Sequence, residues 1–197
     1  MFDESFTNQL KSWNEKTSLE KIKFNRGIER ETLRVSHDGS ISKRPHPKSL
    51  GSALTNPYIT TDFAEALIEL VTPKFDNVDD LYSCLQDLHV FTAQNIDEDE
   101  CLWAYSMPCR IEKESDINIA NYGSNDSGML KHIYRKGLKA RYGSIMQCVS
   151  GIHYNFSIDE KSYSNLLGAD YSQDLSLIHI SEPTRRYAIS YAVFCLK

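Results

Sequence analysis

Residues 27–35 read GIERETLRV, and the two glutamates in that stretch constrain the fold more than any other feature. Apolar and polar residues alternate around them, which predicts a strand. Successive strand side chains point to opposite faces, so Glu29 and Glu31, two positions apart, share one face. Like charges side by side on a sheet repel, and glutamate is a poor strand former. A sheet carrying them needs either open water over that face or something positive among them.

Two more segments repeat the pattern. Residues 67–72, LIELVT, predict a strand with Glu69 at its centre, preceded by a helical turn over residues 62–66 that contains Asp62. Residues 151–158, GIHYNFSI, put His153 and Asn155 on one face and Ile152, Tyr154 and Phe156 on the other. Helical spacing marks residues 4–16, with Phe6, Leu10 and Trp13 on one side. A second helix covers 77–95, capped by Asp76 or Asn77, with Val78, Leu81, Tyr82, Leu85 and Leu88 on one face. A third runs over 127–140, with Met129, Leu130, Ile133, Tyr134 and Leu138 inward. Residues 44–58, RPHPKSLGSALTNPY, are a loop, because Pro45 and Pro47 exclude a central strand or a helix interior. Alternating strands among helices predict an α+β fold with an antiparallel sheet and flanking helices.

The formal charge of −5 argues against a partner with a phosphate backbone, so no nucleic acid is expected. The basic run KHIYRKGLKAR, residues 131–141, reads first as the solvated side of its helix and second as a means of attracting a polyphosphate substrate. No apolar run approaches the roughly 20 residues of a bilayer span, so no membrane is expected either. The start lacks the basic flank and apolar stretch of a secretory signal, which predicts a cytoplasmic protein. The five cysteines show no Cys-x-x-Cys pair and no zinc-type spacing with histidine, and read as buried or idle thiols.

Glu29, Glu31, Asp62 and Glu69, with His153 beside them, therefore form the candidate chemical site. The bland reading is a solvated sheet face. The sharper one is a floor of carboxylates that holds Mg²⁺, with Mn²⁺ as an alternative, delivered with ATP. Mg²⁺ takes a few carboxylate oxygens and completes its shell with water and phosphates. The segment NYGSNDSG, residues 121–128, lacks the Walker pattern and reads first as an ordinary capped turn into the third helix, with phosphate cradling at the helix start as the second reading.

Residues 175–197 break with what precedes them. LSLIHISEPTR, residues 175–185, is the translation of a transposase-type sequencing adapter, and ISYAVFCLK, residues 189–197, that of a flow-cell primer in the same frame. Arg186, Tyr187 and Ala188 between them have the length of an index read. The expectation is a natural part over residues 1–174, followed by an adapter-coded tail. Without that tail 19 basic and 26 acidic residues remain, a net −7, so the natural part is more acidic than the whole.

GIERETLRV, RPHPKSLGSALTNPYITTDFAEALIELVTP, SMPC, YGSNDSGMLKHIYRKGLKARYG and MQCVSGIHYNFS together resemble the proteobacterial type of glutamate–cysteine ligase. The resemblance runs from about residue 22 to 158. It implies a catalytic scaffold like that of glutamine synthetase and the guanidino kinases, of which only the N-terminal third is present. It also implies the substrates L-glutamate, L-cysteine and ATP, and a γ-glutamyl phosphate intermediate in the first step of glutathione synthesis. By position it makes Glu29, Glu31, Asp62 and Glu69 metal ligands and His153 the histidine beside metal and phosphate. Tyr134, Gln147 and Phe63 then belong to the cysteine pocket. The 197-residue chain itself is expected not to catalyse. Alternatives are a ligase with another amine acceptor, a non-catalytic Mg²⁺–nucleotide module, and a plain structural domain.

Overall fold

The computed structural model describes residues 22–159 together with residues 8, 11 and 162. The opening helix over residues 4–16 and the tail from residue 175 lie outside the described residues. The chain forms two compact units, residues 24–157 and a second made of residues 1–23 with 158–197. Of the second, the described residues show the Lys23 N–H donating to Ser162 Oγ at 3.0 Å and the Asp159 N–H to the Lys23 carbonyl at 2.8 Å. The first unit carries the site.

Its backbone is one long strand, β1 (Phe24–Ser36), flanked on one edge by β3 (Leu67–Val71), which pairs in turn with β2 (Ile59–Thr61). The other edge takes β4 (Glu100–Leu102) opposite Arg34 to Ser36, and β5 (Ile152–Ile158) lower down. The β1–β3, β1–β4 and β2–β3 pairings are antiparallel. Along β5 the neighbours run backwards against β1, with Gly151 beside Glu31, His153 beside Glu29 and Phe156 stacked on Phe24 at 5.2 Å. The described residues are thus an antiparallel sheet with two helices, α1 (Val78–Asn95) and α2 (Asp126–Tyr142).

Register decides what each face carries. Glu31 pairs with Glu69 and Leu33 with Leu67, so the acidic face of β1 continues into apolar residues toward its C-terminal end. There Leu33, Val35, Phe63, Ala64, Leu67, Cys109 and Cys148 form the main core cluster. On the opposite face Ile68 and Leu70, paired with Thr32 and Arg30, join Leu50 and Ile59 under Leu85 and Leu88 of α1. Arg34 on that face is fully buried, so the reverse of the acidic sheet is interior rather than a second wet surface.

Several expectations need correction. Residues 62–66 are not a helical turn but the bend of the β2–β3 hairpin, closed by Asp62 N–H to the Leu67 carbonyl at 3.0 Å. The alanines there favour helix locally, yet two strands of one hairpin must be joined by a turn, and tertiary pairing overrides propensity. Strands β2 and β4, three residues each, carry no periodicity of their own. In α1, capped by Asn77 through the Asp79 N–H, Leu81 is buried while Val78 and Tyr82 stand exposed. In α2 the apolar residues expected inward, Met129, Leu130, Ile133 and Tyr134, are all exposed, and only Leu138 of that set packs against the core. The helix seats instead through Gly128, His132, Arg135 and Leu138, a stripe at helical spacing that is mostly polar or small.

Gly128 shows why. A Cβ there would lie 2.5 Å from the Tyr122 carbonyl oxygen, so only glycine lets the first turn of α2 approach that backbone. Replacing Gly128 by Ala is expected to cost about 1–3 kcal/mol through overpacking, read as a lower urea midpoint with an unchanged slope.

Candidate active site

The sheet brings four of the sequence-predicted side chains to one face. Glu31 and Glu69 stand directly opposite across the β1–β3 ladder. Glu29 lies one pleat further along β1, and its carboxylate meets His153 Nδ1 at 3.2 Å and accepts from Asn155 Nδ2 at 3.1 Å. The Glu31 carboxylate accepts the Gly151 N–H at 2.6 Å, while the Glu31 N–H donates to the Gly151 carbonyl at 3.0 Å. This two-way bond sets where β5 begins and hence where His153 stands. A Cβ on Gly151 would lie 3.2 Å from His153 Nε2 and 3.4 Å from Glu31 Oε2, so the absence of a side chain permits the close approach. Asp62 enters from the hairpin bend beside these groups.

The electrostatics reflect the crowding. Burial raises the Glu31 and Asp62 carboxyls above the usual carboxylate range, and Asp62 pushes Glu31 further. Glu69 is pushed up to about 7, first by burial and then by Asp62, Glu31 and Glu29 together. His153 acts in the opposite sense on Glu31, Asp62 and Glu69. Among the described residues, however, no three His, Cys, Asp or Glu side chains converge closely enough to hold a metal ion. Neighbouring carboxylates repel, and this set stands as an electrostatically coupled group, not as a closed cage.

Of the three expected substrate residues, Phe63 follows Asp62 in the hairpin bend, while Tyr134 and Gln147 come from other elements. Tyr134 is half exposed on the outer side of α2, and Gln147 sits in the short 3₁₀ turn Ile145–Cys148 before β5. Phe63 is 1 % exposed and packs in the main core cluster. Three residues that sequence reasoning passed over belong to the site: Gly151, Tyr122 and Arg135. The Tyr122 hydroxyl donates to the Thr61 and Asp62 carbonyls at 2.7 and 3.1 Å, and the Arg135 Nε–H donates to the same Asp62 carbonyl. Arg135 belongs to the basic run read as a solvated helix side; Lys131, Lys136, Lys139 and Arg141 are exposed there, but Arg135 is half-buried over the Tyr122 ring. Its spacing from Gly128 and His132, which puts all three on one helix face, is the signal that would have found it.

Solved structures share this architecture. A glutamate–cysteine ligase from Francisella tularensis, in complex with AMP, superposes with a TM-score of 0.72 at 49% identity, covering 74% of this chain and 29% of that one. A bifunctional glutathione synthetase from Pasteurella multocida gives 0.69 at 32% identity, covering 85% and 21%. The shared fold, at these identities, thus places the chain in a class of ligases. Residues 7–183 match the family model of glutamate-cysteine ligase, and the chain belongs to that family. Glutamate–cysteine ligases from Serratia proteamaculans and Aliivibrio fischeri are 52% and 46% identical over 150 and 174 residues. Those matches cover 76% and 88% of this chain but 29% and 31% of the relatives, so the chain spans under a third of their length.

Proposed function

We propose that the protein to which this sequence belongs joins L-glutamate, through its side-chain carboxyl, to the amine of L-cysteine with ATP as co-substrate. The single observation that carries the reading is the Glu31–Glu69 pair, held in register on a half-buried sheet face with a third and a fourth carboxyl beside it. Such a face is stable as an anionic surface only with positive charge supplied to it. In donor type, though not in closed geometry, Glu29, Glu31, Asp62 and Glu69 suit a hard cation, because an oxygen-rich set with one imidazole and no thiolate matches Mg²⁺ or Mn²⁺. Bound there, the ion would screen the phosphates and the substrate carboxylate that must approach each other.

The chain's own groups have separate tasks in this reading. Glu29 fixes the His153 ring through Nδ1, which leaves Nε2 to meet a phosphate oxygen. Asn155 holds the other Glu29 oxygen, so that carboxylate keeps its direction. Tyr134 and Gln147 serve the acceptor amino acid, and residues 175–197 take no part. The four described cysteines are free thiols, which supports a reducing, cytoplasmic setting. Among the described residues no helix is long and apolar enough to cross a membrane.

A chimera tests the reading. Residues 24–158 of this chain replace the matching segment of the Serratia proteamaculans relative, and ATP-dependent γ-glutamylcysteine formation is followed. The chimera is expected to make product, and Glu31→Gln or Glu69→Gln to lower kcat/KM at least about tenfold. Full turnover by the neutralised chimera would remove the metal-binding reading. Equal use of other amines would shift the function to a ligase of different acceptor. The 197-residue chain alone is expected to form no product.

A further inference from the structure

Asp62 differs from the other three acids in having no strand to aim it. It stands in the bend between β2 and β3, where its N–H closes the hairpin but its carbonyl has no ladder partner. We propose that Tyr122 and Arg135 are positioning residues that grip this carbonyl from the α2 side and so direct Asp62 toward Glu31 and Glu69. The inference rests on the metal-binding reading above.

The geometry is that of a clamp. Tyr122, 6 % exposed, accepts the Thr61 hydroxyl at 3.0 Å and shares its own proton between the Thr61 and Asp62 carbonyls. Arg135 adds the Nε–H donor to Asp62 and lays its guanidinium over the Tyr122 ring, 4.7 Å from the centroid. Stacking on a ring fixes the plane of a guanidinium and therefore the direction of its Nε–H. A lysine has neither the plane nor that donor. The Lys131 ammonium lies over the same ring at 5.1 Å but, unlike Arg135, is not among the charges that act on the Asp62 carboxyl. It controls for charge at the ring without a donor at the carbonyl. The clamp also ties Asp62 to the helix that carries Tyr134, so the acidic face and the proposed acceptor side share one anchor.

If the clamp acts by aim, Tyr122→Phe and Arg135→Lys weaken cation binding although both keep the ring or the charge. If it acted by charge alone, Arg135→Lys would be silent. The experiment is Mn²⁺ titration of the full 197-residue chain, followed by electron paramagnetic resonance, for wild type, Tyr122→Phe, Arg135→Lys and Lys131→Met. Expected is a loss of affinity of about tenfold in the first two variants, the range for residues that orient a ligand, with Lys131→Met at or slightly above wild type. Wild-type affinity in both Tyr122→Phe and Arg135→Lys overturns the clamp while leaving the metal reading intact. Absence of Mn²⁺ binding in the wild type sinks the metal reading, and the clamp is then judged by amide exchange. Faster exchange of the Asp62 amide by about tenfold or more in Tyr122→Phe, with Leu33 unchanged, upholds it; unchanged exchange at Asp62 overturns it.

Discussion

Arg34→Met is expected to destabilise the chain by about 3–5 kcal/mol, a large part of the roughly 5–15 kcal/mol that holds an ordinary domain together. The side chain is fully buried, and its Nη1 donates to Glu100 Oε2 at 2.8 Å. Its Nη2 serves the Arg44, Pro45 and Glu65 carbonyls at 2.8, 2.9 and 3.0 Å. One guanidinium thus fastens β1 to β4, to the loop after Ser42 and to the hairpin bend. Methionine fills much of the volume but leaves the Glu100 carboxylate buried with Ser42 as its remaining partner. An uncompensated buried charge is what makes the loss large. Replacing Glu100 by Met as well removes that charge and is expected to recover part of the stability. Recovery stays incomplete, because three carbonyls lose their donor whichever residue stands at position 100. Urea unfolding of the single and double variants checks this. A single variant within about 1 kcal/mol of wild type, the scale of an ordinary surface change, or a double variant no better than the single, would remove the pair from the account of the fold.

Arg34 also shows where the sequence stopped being legible. Alternation in GIERETLRV announces a strand and places Glu29 and Glu31 on a common face, and the structure agrees in both. Alternation says nothing of depth, however. Arg30 and Arg34 look alike in the string, yet Arg34 is interior and Arg30 only partly so. What buries Arg34 is Glu100, 66 residues away in a three-residue strand too short to show a period. The Glu31–Glu69 pairing was hidden for the same reason, since register depends on the hairpin and the hairpin bend looked helical. In α2 the failure ran the other way. Hydrophobic spacing pointed Met129, Leu130, Ile133 and Tyr134 inward, but the helix docks through a glycine contact and an arginine stacked on tyrosine. Such contacts leave no trace in an apolar pattern. Strand patterning had already grouped the four acids before the family resemblance named them, and the sheet and its hairpin bend bring them near one another. The resemblance also supplied Phe63, whose neighbours in the core become visible only once the hairpin is closed.

Glu69→Gln is expected to stabilise the chain, and more so as the pH rises. The Glu69 carboxyl titrates near 7 in the folded chain against 4.5 in an ordinary setting, because burial and three neighbouring carboxylates all oppose its charge. The folded state therefore holds a proton between those two values that the unfolded chain has released. Linkage then makes stability fall with rising pH across that window: the contribution is fully present below about 4.5 and is lost as the pH passes through 7. Burial raises Glu31 and Asp62 too, so their contributions have the same sign. Glu69 is only partly buried, and solvent screening reduces its share to about 1–2 kcal/mol, worth roughly 2–8 °C in melting temperature for a chain of this size. Glutamine keeps the shape and cannot ionise, so the difference between variant and wild type should be small near pH 4.5 and full about one unit above the folded value. Mg²⁺ should act on the wild type in the same direction, since a cation bound only to the folded state at about ten times its Kd adds about 1.4 kcal/mol. The same ion should act less on Glu69→Gln, because one of its anionic partners is gone. A glutamine variant that melts no higher than wild type in mild alkali, with Mg²⁺ shifting both equally, would mean that the acidic face is merely solvated. The combined pattern, a gain from neutralising the residue and a matching gain from supplying the ion, is what a sheet built to receive positive charge requires.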